Sequence, residues 1–116
     1  MGLFPGDLEV YRRAVEFADK VLFLTEKTER RNEFLSDLLR RTAVSIPLIL
    51  AEGCGRSHAE AGRESLAAAR GACFKCLPLL FFLKCSGGIG ALTCAALEAE
   101  VQDISNMLIF PAGRKP

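Results

Sequence analysis

The chain has 116 residues, half of them hydrophobic, and a formal net charge of +1. That composition excludes a disordered chain, the length sets one domain able to bury about two-thirds of its unfolded surface, and the charge excludes whole-molecule attraction to nucleic acid or an anionic membrane. Five cysteines, with no signal-like segment in the opening Met-Gly-Leu-Phe-Pro-Gly, point to a reducing, cytoplasmic compartment rather than a disulfide framework.

Residues 1–6 read as a lead with a turn at Pro5-Gly6, and Asp7 is a good N-cap. A first helix is expected over about 7–27. It carries two apolar stripes, Leu8, Tyr11, Val15, Ala18, Leu22 and Val10, Ala14, Phe17, Val21, Leu24, about 110° apart at 100° per residue. One stripe suffices for a bundle core. Two stripes mean that the helix covers two neighbours, or one neighbour and another subunit.

After a charged link at Thr28–Arg31, Asn32 can cap a second helix over about 33–52, with Leu38, Leu39, Thr42 and Ile46 on one side. Pro47 lies inside it, where it removes a backbone donor and clashes with the carbonyl of Ala43, so a kink is expected. Gly53 and Gly55 are expected to supply the left-handed backbone that closes the helix. Ser57-His58-Ala59-Glu60 is a capping-box sequence that starts a third helix, about 58–85.

The first half of that third helix is small: Ala61, Gly62, Ala67, Ala68, Ala69, Gly71, Ala72. The second half, 73–85, is apolar nearly all round apart from Lys75 and Lys84, with Pro78 as a second kink. Its longest uncharged apolar run, Cys76–Leu83, is far short of the roughly 20 residues a membrane span needs, so no membrane partner is expected. Ser86-Gly87-Gly88-Ile89-Gly90 reads as a flexible break. A fourth helix follows over about 91–110, with Leu92, Ala96, Val101, Ile104 and Leu108 as its buried edge. Four helices, short links and no strand-like alternation predict one all-α domain over 1–116, an antiparallel up-down-up-down four-helix bundle.

Few residues carry chemistry. Cys73-x-x-Cys76 has thiolate-pair spacing but sits mid-helix in an apolar run, and no second pair or nearby histidine accompanies it. It reads as core, since a free cysteine packs as a small hydrophobe. His58, the only histidine, has no facing nucleophile and reads as a capping or solvated residue. No metal, cofactor, small-molecule substrate or catalytic group is expected, and the chain is read as non-enzymatic. Glu52 has two readings. It is a buried structural partner of Arg41 or Arg70, or else a functional acid; the lack of a second carboxylate favours the ion pair. Arg40, Arg41, Arg56 and Arg63 belong to an arginine group offset by Glu33, Asp37, Glu52, Glu60 and Glu64. The group is either a solvated face or, if oligomerisation lines the arginines up, a phosphate-binding surface for RNA or DNA.

The stretch Leu38–Arg56 resembles the signature of the four-helix-bundle proteins encoded in intervening sequences of bacterial 23S ribosomal RNA, relatives of diversity-generating-retroelement accessory proteins. Arg40, Arg41, Ser45, Ile46, Pro47, Ala51, Glu52, Gly53 and Arg56 match that pattern. Asp7–Ala14 resembles the family's first helix and Ile104–Leu108 its last, so the likeness spans about residues 7–110. Leu48 and Ile49 replace a Ser-Asn pair, Ala72 replaces a serine, and Lys75 stands where a glutamate is usual. These departures make the interior more apolar and weaken the transfer of polar-site function. The resemblance implies a homopentamer and a nucleic-acid-associated scaffold, with Arg40, Arg41, Arg56 and Arg63 meeting phosphates. The other reading is a protein–protein adaptor that binds no nucleic acid.

Overall fold

The computed structural model describes residues 5–54 and 59–109, with side chains described over 9–53 and 62–109. The helices are α1 (Pro5–Leu24), α2 (Glu33–Cys54), α3 (Ala59–Cys85) and α4 (Ala91–Met107), and a short 3-10 turn at Arg30–Asn32 precedes α2. Among the described residues there is no strand. The fold is all-α, four helices packed as a bundle. Cross-helix contacts fix two of the pairings. Arg13 reaches Asp103 and Lys20 reaches Glu100, so α1 and α4 run in opposite directions. Gly53 approaches Ser65 while Asn32 meets Ser86, so α2 and α3 do too.

The core takes one side of each helix. In α1 Val10, Ala14, Phe17 and Val21 of one stripe are buried but its Leu24 is exposed, while of the other stripe Ala18 is buried and Tyr11, Val15 and Leu22 remain near 40% exposed. In α2 the inward residues are Leu39, Ala43, Ile46 and Leu50, at steps of four, three and four; Leu38 and Thr42 are only half-buried. In α4 the buried edge is Cys94, Leu97, Val101 and Ile104, and Leu108 is buried just past its end. Leu92, expected on that edge, is 88% exposed, and Ala96 is exposed as well. The step of five from Ala96 to Val101 breaks the helical period, so the two halves of that expected edge could not share one face.

Helix ends also differ from expectation. The chain leaves α1 at Leu24 rather than Lys27, and the buried Thr25 still donates both its N–H and its hydroxyl to the Val21 carbonyl, at 3.0 and 2.6 Å. The Thr25 carbonyl in turn accepts from the Thr28 hydroxyl at 2.6 Å and from Arg40 Nη1 at 2.9 Å. Asn32 is buried, and its Oδ1 accepts from the Ser86 hydroxyl at 2.6 Å, so its side chain ties two turns together. Helices α2 and α3 continue unbroken through Pro47 and Pro78.

The break after α3 is a hydrogen-bonded, helix-closing turn. Gly88 N–H donates to the Leu83 carbonyl at 2.7 Å and Gly87 N–H to the Lys84 carbonyl at 3.1 Å. Gly87 has φ +81°, the left-handed position that this helix-closing motif gives to glycine. Gly53, expected in that role, stays helical within α2, and Gly87 is the only positive-φ glycine among the described residues. Gly53 is needed for space. A Cβ there would lie 2.5 Å from Ser65 Cβ and 2.6 Å from its hydroxyl oxygen.

Candidate interaction surfaces

Helix α3 has two unlike sides. Ala69, Ala72, Cys73, Cys76, Leu80 and Leu83 point into the bundle. Ala67, Gly71, Phe74, Pro78, Phe81 and Cys85 recur at three- and four-residue steps and share the outer side. Phe74, Phe81 and Phe82 remain 43%, 48% and 52% exposed. The Arg70 guanidinium lies 4.9 Å over the Phe74 ring and the Lys84 ammonium 5.2 Å over Phe81, so the aromatics are edged by cations. By length and composition Gly62–Cys85 would also suffice to cross a membrane. Counting only the uncharged run had concealed this, because the longer window tolerates Arg70 and Lys75.

Burial settles the chemistry of the cysteine pair. Cys73 and Cys76 are inside the core, and desolvation pushes both thiols from the ordinary 9.0 up to about 12. The reactive thiolate is therefore scarce at neutral pH. Among the described residues no group of histidine, cysteine and carboxylate side chains is placed to hold a metal. The raised values have a consequence for stability. Below pH 9 the thiols are protonated in both folded and unfolded chains, and their full contribution is present. As pH rises from 9 toward 12 the unfolded chain ionises first, so stability falls. Thermal midpoints measured across that window should drop, and Cys73→Ala/Cys76→Ala should show a shallower drop.

Arg40 and Arg41 do not share one surface. Arg40 is half-buried, its Nη1 on the Thr25 carbonyl and its Nη2 3.8 Å from Asp37, so it braces the α1–α2 link rather than facing solvent. Arg41, one residue on and therefore 100° around the helix, is 77% exposed and donates from Nε to Asp37 at 2.9 Å. Arg63 is exposed on α3. Arg56, Ser57 and His58 lie outside the described residues, so the capping box is not described, although α3 starts at Ala59. Most other cations face acids: Arg12 joins Glu9 and Glu16, Arg13 lies near Asp103, Lys20 meets Glu100, and Arg31 meets Glu29. The buried ion pair expected of Glu52 is not what the structure shows. Glu52 is exposed, because Leu50 takes the inward position and two residues further is 200° around. Arg41 turns to Asp37 and Arg70 to Phe74.

An open groove of about 550 Å³ runs between α2 and α3. Thr42, Ser45, Ile49, Ala68, Gly71 and Ala72 line it, with Arg41 and Lys75 beside them. Both hydroxyls are used within their own helix, Thr42 on the Leu38 carbonyl and Ser45 on the Thr42 carbonyl. The small residues of α3 were legible in the sequence, but as helix–helix spacers inside the chain. Only the fold places them beside two cations on an open side.

The 23S rRNA-intervening sequence protein family model matches residues 6–110. No curated protein and no solved structure matches the chain.

Proposed function

This chain belongs to the 23S rRNA-intervening sequence protein family, and from that premise we propose that it works as a non-enzymatic scaffold built by self-association. One observation carries this reading: the outer side of α3 keeps Phe74, Phe81 and Phe82 half in water along an almost uncharged stripe. Such a surface is unfavourable in a lone soluble chain, at about 25 cal/mol for each Å² of apolar area left wet. Association removes it. The resemblance puts the number of copies at five. Sedimentation or light scattering at micromolar concentration should give several times the single-chain mass, and Phe74→Ser/Phe81→Asp should lower it. A single-chain mass for the wild type overturns the reading. Partition of single chains into phosphatidylcholine vesicles would assign the same stripe to lipid instead.

A second reading adds nucleic acid, favoured by the exposure of Arg41 and Arg63. One chain offers little unpaired positive charge, so phosphate binding would depend on several copies repeating these arginines around one rim. It would be poorly selective for sequence and steeply weakened by salt. If a short single-stranded RNA at low salt leaves the protein's mobility unchanged, the scaffold is a protein adaptor.

A further inference from the structure

We propose that the α2–α3 groove receives α1 of a second copy of this chain, with Asp19 of the incoming helix set on Lys75 and Arg41. This rests on the self-association reading and adds a contact beside the aromatic side of α3.

Three observations fit one another. First, the groove has a charged end and a neutral end. Since α2 and α3 run in opposite directions, Arg41 lies level with Lys75, and Ile49 lies level with Ala68. Lys75 is exposed and, among the described residues, makes no ion pair. Second, α1 leaves an outer flank with the opposite character. Tyr11, Val15 and Leu22 are near 40% exposed, and Asp19 shares their side of the helix. Among the described residues Asp19 also makes no ion pair or hydrogen bond. An unpaired acid at the edge of an apolar stripe therefore exists on the same molecule as an unpaired cation at the end of an open groove. Third, the spacings agree. Asp19 to Tyr11 is eight residues of helix, about 12 Å, and Arg41 to Ile49 is the same. With Asp19 at the cationic end, Tyr11 reaches the Ile49 and Ala68 end, and Val15 falls between them over Gly71.

Gly71 supports the approach. A Cβ on it would meet nothing within 4 Å, so nothing in the described chain requires a glycine there. A mid-helix glycine lowers helix stability relative to alanine, and here the space above it stays open for the incoming helix. The flank and the groove are different surfaces, so each copy both gives and receives. Such a head-to-tail contact closes into a ring or continues as a filament.

The test is a charge exchange in the full-length chain, read by sedimentation. Asp19→Lys and Lys75→Asp should each weaken assembly about tenfold or more, and the pair together should restore much of it. Gly71→Leu should block assembly while leaving helical content intact, which separates a filled groove from a misfolded chain. If the wild type assembles and all three single variants assemble equally well, the groove contact is wrong and self-association uses another surface. If the wild type is a single chain, both readings fall together.

Discussion

Phe17→Ala should destabilise the folded chain by about 3–5 kcal/mol. Phe17 sits midway along α1, is fully buried, and belongs to the one core cluster that also includes Val21, Leu39, Ile46, Leu80 and Ile104. Truncation removes a ring from water-free surroundings and leaves a void that the neighbouring helices cannot close without shifting. For a chain of this length the melting midpoint should fall by roughly 10–20 °C. Protein concentration must be held fixed, because assembly contributes to the apparent stability. Phe23→Ala is the control: this residue is 73% exposed, and its loss should change stability by about 0.5 kcal/mol or less. If both variants melt alike, the inward stripe of α1 has been misassigned.

The second large effect is expected at Gly53. Any side chain there must displace Ser65, whose Cβ lies 2.5 Å from where the new Cβ would go. Ser65 is itself buried, so it cannot swing into solvent, and the ends of α2 and α3 must part. Gly53→Val should cost about 1–3 kcal/mol as an overpacked contact. Ser65→Gly vacates the same space, so Gly53→Val/Ser65→Gly should recover part of that loss. A double-mutant cycle in denaturant measures the coupling. Strictly additive losses would mean that the two residues do not meet.

Much of the architecture was legible because period and punctuation are local properties. The two stripes of α1, the apolar half of α3 and the glycine break before α4 each declare themselves within a few turns of helix. Which stripe of α1 turns inward is not local. Val10, Ala14, Phe17 and Val21 were as plausible outside as Tyr11, Val15 and Leu22, and packing against α2 and α4 decides between them. Gly53 shows the same limit. Next to a helix end, glycine suggests a left-handed cap, and only Ser65 on a neighbouring helix reveals that missing volume is the point. The different settings of neighbouring arginines were not legible for a geometric reason. Arg40 and Arg41 are adjacent in sequence, but the helix points them 100° apart, one onto the Thr25 carbonyl and the other toward the groove. Glu52 is exposed for the same reason, since it lies two residues, about 200° of helix, beyond the buried Leu50.

Two polar ties meet at one tip of this bundle. The Thr25 carbonyl with Arg40, and Asn32 with Ser86, lace the α1–α2 link to the α3–α4 turn. At the far tip α2 and α3 are held by the tight seat of Gly53 against Ser65. Loss of the Asn32–Ser86 bond should therefore loosen both turns at once, since each turn is the other's anchor.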